Sequence, residues 1–80
     1  MDFCVYIIYA PSIDKYYVGH TENLNRRIEE HCLNKNFGAN DWLLKYSELH
    51  FTRSEAMVRE MEIKKKKRRS YIEWLINTNS

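Results

Sequence analysis

Apolar residues in this 80-residue chain fall into short runs whose spacing changes from one stretch to the next. Asp2-Phe3-Cys4-Val5-Tyr6-Ile7-Ile8-Tyr9 is apolar at odd and even positions alike and rich in β-branched and aromatic residues, the pattern of a strand covered on both faces. Such a strand belongs in the centre of a sheet. Pro11-Ser12-Ile13-Asp14 carries turn chemistry and Lys15 to Gly19 resumes a strand pattern, which predicts an antiparallel hairpin with a loop longer than two residues. Tyr17 and Gly19 then share one face, opposite Tyr16 and Val18. Thr21 reads as an N-cap with Glu22 in the first turn, opening a helix to about Cys32 or Leu33. Residues 34–41 read as a loop, and Trp42 to Leu49 alternates as a third strand. Ser54 is placed to cap a second helix from Glu55 to about Lys67. Ser70 with Glu73 forms a capping box for a short last helix whose Tyr71, Trp74 and Leu75 pack back on the domain. The expected fold class is α/β: a small single domain, residues 1–80, with a three-stranded antiparallel sheet flanked by helices in the order β-β-α-β-α-α.

Two of these helices carry polar residues on the face that should be apolar. At about 100° per residue, Leu24, Arg27, Ile28, His31 and Cys32 share one arc, and Asn25, Arg26, Glu29 and Glu30 lie opposite. Arg27 is thereby turned toward the sheet. A buried arginine is costly without a partner, so it either pairs internally or faces a cleft that binds an anion. On the second helix Ala56, Met57, Glu60, Met61, Ile63, Lys64 and Lys67 share an arc, with Glu55, Arg59, Glu62 and Lys66 opposite. A carboxylate at Glu60 among Ala56, Met57, Met61 and Ile63 needs a cation, either a metal ion or a basic side chain, and an ion pair with Arg27 or Lys64 is the plainest form of the latter. Arg26 and Glu62 are the matching residues on the solvent faces.

Composition narrows the class. With 44% hydrophobic residues and only three Gly or Pro, the chain makes one compact domain with a small core and leaves no room for a second domain. No run approaches the roughly 18 apolar residues of a membrane span, and Met1 leads straight into a strand-like run, so neither anchor nor signal peptide is expected and the chain reads as cytoplasmic. Cys4 and Cys32 fit no metal spacing and read as reduced packing residues. The net charge of +2 conceals an asymmetry: residues 53–69 hold eight Lys/Arg against three Glu, while residues 1–52 hold five against seven acids. The run Lys64 to Arg69 is either a solvated helix face or a surface for phosphates.

In combination these features resemble a family. Val5-Tyr6-Ile7, then Tyr17-Val18-Gly19, then Thr21, Leu24, Arg27 and His31, then Ala56, Glu60, Ile63 and Lys64 arrive in the order and at the spacings of the GIY-YIG nuclease domain, most like its small stand-alone bacterial members. The resemblance implies metal-dependent endonuclease activity on DNA, branched or distorted structures included, of the kind that DNA repair uses. It implies that Tyr6 and Tyr17 line the nucleophile site, Tyr17 as the proposed general base. Arg27 would steady the scissile phosphate, His31 would stand beside it, and Glu60 would hold one divalent metal, Mg²⁺ or Mn²⁺. Gly19 is structural in the second motif, and His20, Lys64, Lys65, Lys67 and Arg68 are the expected nucleic-acid contacts. No small-molecule cofactor or membrane partner is implied, and the chain is expected as a monomer or homodimer. Val-Tyr-Ile replaces the first motif's Gly-Ile-Tyr, and His20 stands where relatives carry Lys or Ser. With no appended recognition domain, selectivity must reside in the 34–42 loop and the basic 64–69 surface. A binding module that keeps the fold without useful activity is the rival expectation.

Overall fold

The computed structural model describes residues 2–66 and 68–78, so Lys67 lies outside the described residues. Strands β1 (Phe3–Ala10), β2 (Lys15–Thr21) and β3 (Leu43–His50) form one antiparallel sheet in the order β2-β1-β3, with helices α1 (Leu24–Leu33), α2 (Arg53–Lys65) and α3 (Arg69–Thr78). The doubly apolar β1 is central, as its pattern requires. Its two faces build two separate cores. Val5, Ile7 and Val18 pack under Ala56 and Ile63 of α2 and Leu75 of α3, whereas Tyr6, Ile8 and Ala10 pack with Ala39 and Trp42, flanked by Tyr17, Leu24, Ile28 and Cys32. Among the described residues no helix is long and apolar enough to cross a membrane.

The caps differ from the expected ones, each for a local reason. Thr21 still pairs with Cys4 across the sheet, so it ends β2 rather than opening α1. The cap falls to Asn23, whose Oδ1 accepts the Arg26 amide at 3.2 Å, while Thr21 Oγ1 supports it by accepting the Asn23 amide at 3.1 Å. Glu22 therefore lies ahead of the helix, and the first turn carries no acid. Thr52, not Ser54, caps α2: its hydroxyl accepts the Glu55 amide at 3.2 Å and donates to the Glu55 carboxylate at 3.1 Å. Ser70 lies within α3, and Glu73 turns instead to Arg69 and to the Tyr16 hydroxyl, each at 3.4 Å.

The buried stripe of α2 is rotated from the expected one. Ala56 and Ile63 are buried, but Met57 and Met61 are exposed, and Arg59 is only 25% exposed where it was expected in solvent. Charge pairing sets the rotation. Glu60 reaches His20 on β2 and Arg59 reaches Glu48 on β3, so α2 straddles the sheet with one half-buried charge tied to each edge strand. A flexible Met loses little by facing water, whereas a half-buried guanidinium must keep its carboxylate.

Trp74 also departs from expectation. Leu75 is buried and Tyr71 half-buried on the core side of α3, but the Trp74 ring is 57% exposed.

Candidate active site

The residues singled out on the anomalous helix faces meet around the open edge of β2. Alternation along that strand sends Tyr17 and Gly19 to the α1 side and Val18 and His20 to the α2 side. Gly19 pairs directly with Tyr6 on β1. A Cβ at Gly19 would lie 2.7 Å from the Tyr6 hydroxyl and 3.0 Å from Tyr17 Cε1, so only glycine leaves room for both rings.

On the α1 side, Tyr6 and His31 are both 1% exposed, and the Tyr6 hydroxyl meets His31 Nε2 at 2.9 Å. Burial pushes the Tyr6 hydroxyl up to about 12; the nearby Arg27 guanidinium opposes that rise, and nearby Glu60 adds to it. Tyr6 is therefore a neutral hydroxyl at ordinary pH. His31 is held below its usual value by burial and by the Arg27 cation, with Glu30 partly offsetting them. Its other nitrogen, Nδ1, bonds the Asn36 amide. An amide N–H only donates, so Nδ1 accepts from Asn36, and in the neutral ring Nε2 carries the N–H that the Tyr6 oxygen accepts.

Arg27 is 41% exposed at its side chain, against 74% for Arg26, and its NH1 lies 3.2 Å from Glu30 Oε1. The guanidinium thus bonds Glu30 outside and lies near the Tyr6 hydroxyl inside, and it does not pair with Glu60. Tyr17 packs in an aromatic wall, with ring centroids 4.8 Å from His31, 6.0 Å from Phe37 and 6.4 Å from Trp42. Phe37 and Lys35, two residues before it, hold positive φ, costly for side-chain-bearing residues. The Lys15 ammonium 4.2 Å over the Phe37 ring and the rings of Tyr17 and Trp42 hold that turn in place. Among the described residues, Trp42 Nε1 is the buried side-chain polar atom without a hydrogen-bond partner.

On the α2 side, Glu60 is 17% exposed and Glu62 58%. One Glu60 oxygen meets His20 Nδ1 at 2.7 Å and the other Lys64 Nζ at 2.8 Å. Burial raises the Glu60 carboxyl, but the bonds from Lys64 and His20 outweigh it and hold the group below the usual carboxylate value. Lys64 ties the two sides together, since its ammonium also stands 5.8 Å from the Tyr17 ring. His20, expected as a nucleic-acid contact, is a partner of Glu60. Lys65 and Arg68 are exposed farther along the surface.

Sequence reasoning missed Asn36, Glu30 and Trp42 as members of this cluster. Asn36 lay in a loop, Glu30 on the presumed solvent arc and Trp42 at the start of a strand, and none carries a spacing signal toward its partner.

No curated protein matches the chain. The family model described as the GIY-YIG catalytic domain matches residues 2–73. Among solved structures, the chain is similar to a UPF0213 protein from Bacillus halodurans, determined by solution NMR, with a TM-score of 0.62 and 28% identity; the match covers 98% of this chain and 85% of that one.

Proposed function

This chain belongs to the GIY-YIG family, a family of nucleases, and on that premise we propose that residues 1–80 form an endonuclease domain that hydrolyses DNA phosphodiesters, branched or distorted DNA foremost, in the cytoplasm with a divalent cation. The observation that carries this reading is the convergence of Tyr6, Tyr17, Arg27, His31 and Glu60 on one edge of the sheet, joined by Lys64.

The donor set fits a hard cation. Glu60 offers a lone carboxylate that would hold a weak, water-rich Mg²⁺ or Mn²⁺ with the substrate phosphate completing the shell. Lys64, half exposed on a flexible stem, already neutralises that carboxylate and can turn aside. When bound, the cation would act as a Lewis acid on the phosphate oxygens. The chain's own groups supply the rest. Arg27 presents a guanidinium to the charge that develops on the phosphoryl oxygens. Tyr17, less buried than Tyr6, would in its phenolate form take the proton of the attacking water as the P–O bond to the leaving oxygen breaks, with a solvent proton going to that oxygen. Tyr6 and His31 form a dry pair behind it that fixes Arg27 and holds a proton between Oη and Nε2. The cleavage test is plasmid nicking together with flap and junction cutting in Mg²⁺ or Mn²⁺, and a Glu60→Ala protein as active as wild type would refute the proposal.

One observation favours a second reading, a nucleic-acid-binding module without useful activity: both Glu60 oxygens already have partners. Salt-dependent DNA binding that survives Arg27→Ala, with no cleavage in either metal, selects it.

A further inference from the structure

The exposed Trp74 lies in a concavity of about 670 Å³ at the α2–α3 junction, lined by Lys65, Lys66, Arg68, Ser70, Tyr71 and itself. Its ring lies 5.8 Å from Tyr71 at 30°, and Lys66 Nζ stands 5.6 Å from the Tyr71 ring, so a paired aromatic platform opens among cations with no acid among the described lining residues. Arg68 also borders a second groove of about 340 Å³ between β2 and α2, whose apolar floor includes Val18 and Ile63 and whose rim carries Lys64. Lys64 in turn touches Glu60 and the Tyr17 ring. The cationic path from the candidate active site to Trp74 is therefore continuous.

We propose that this path binds a single-stranded arm of the nucleic acid, with an unpaired base stacked on Trp74 and the intervening phosphates on Lys64 and Arg68. The proposal rests on the nuclease reading for the identity of the anion, and it narrows the substrate to one with an unpaired segment leaving the scissile position. The chemistry selects that ligand. A duplex buries its base faces and offers phosphates alone, for which an exposed indole is useless; an unpaired strand offers a base face for every phosphate, which matches alternating rings and cations.

The test is binding without divalent cation, using a short oligothymidylate, a duplex of the same length and anionic vesicles as probes. Trp42 is buried at 3% exposure and Trp74 is open, so oligothymidylate should quench the Trp74 emission of the wild type. Trp74→Ala should weaken oligothymidylate binding by about 5- to 150-fold while leaving duplex binding nearly unchanged, and Trp74→Phe should restore most of the loss. Equal losses on both nucleic acids, no loss at all, absent quenching, or vesicle binding that tracks Trp74 as strongly as oligothymidylate binding does would overturn it. Only binding is read, so failure here leaves the cleavage reading standing, and an inactive protein that stacks oligothymidylate on Trp74 leaves this one standing.

Discussion

The Tyr6 hydroxyl occupies the space that a Cβ on Gly19 would enter, at 2.7 Å, with Tyr6 Cζ close behind at 2.9 Å. Tyr6 cannot yield by rotating, because its ring is 1% exposed and its hydroxyl is bonded to His31. Gly19→Ala should therefore destabilise the fold by about 1–3 kcal/mol, the usual cost of overpacking a buried site. Denaturant titration reads this directly. Tyr6→Phe removes the nearer atom, so the Gly19→Ala, Tyr6→Phe double variant should lose less than the sum of the two singles, a coupling that a mutant cycle measures. Additive losses would mean that the two positions do not share this space.

Arg27 and Glu60 each have a neighbour of the same type on a more exposed face, which separates chemistry from charge. Arg27→Ala and Glu60→Ala should each cut DNA cleavage by about 10²–10³-fold, the scale of removing one preorganised charge-stabilising group. Arg26, 74% exposed, and Glu62, 58% exposed, make only surface pairs, so Arg26→Ala and Glu62→Ala should stay within a few-fold of wild type. Equal effects within either pair would contradict the assignment.

The sheet and the α1 side of the site are legible in the sequence because they rest on alternation and helical period. The continuous apolar run of β1 fixes its central place, and the period of α1 points His31 and Arg27 inward while leaving Arg26 out. The α2 side is legible only in part. Glu60 is correctly turned inward, but Met57 and Met61 outweigh Arg59 on any hydrophobic scale, and nothing local to α2 announces Glu48 eleven residues earlier as the partner that draws Arg59 in. Trp74 fails for the opposite reason: a lone large ring beside Tyr71 and Leu75 is read as core, although the half-turn it occupies faces away from the sheet. The α1 cap slips from Thr21 to Asn23 because β2 runs on through Thr21.

The Arg59–Glu48 pair supplies a stability prediction independent of the site. Arg59 Nε lies 3.1 Å from both Glu48 oxygens, and the same carboxylate also accepts from Tyr46 at 2.5 Å and meets His50 Nε2 at 2.6 Å. Burial would raise Glu48, but these bonds together hold it below the usual carboxylate value. Arg59→Ala leaves a half-buried carboxylate short of its strongest partner and should cost about 1.5–3 kcal/mol, the range for hydrogen bonds to charged groups. Arg53→Ala, at an exposed position of the same helix, should cost much less. Urea unfolding of the two variants decides the matter, and comparable losses would show that Arg59 is an ordinary surface charge.

His31 gives the fold a pH dependence of definite sign. Burial and the Arg27 cation disfavour its imidazolium, Glu30 offsets only part of this, and the folded-state value lies below the ordinary 6.5. As pH falls through 6.5 the unfolded chain takes up a proton that the folded chain refuses, so stability declines with acidification until the folded-state value is reached. This one group contributes up to about 1.4 kcal/mol per pH unit within that window. Every other ionisable group is common to wild type and His31→Gln, so the difference between the two stability curves isolates His31. Above pH 6.5 the curves should run parallel, and below it the wild type should fall relative to the variant. Parallel curves across the whole range would place the proton on His31 equally in both states and dissolve the dry Tyr6–His31 pair on which the proposed chemistry depends.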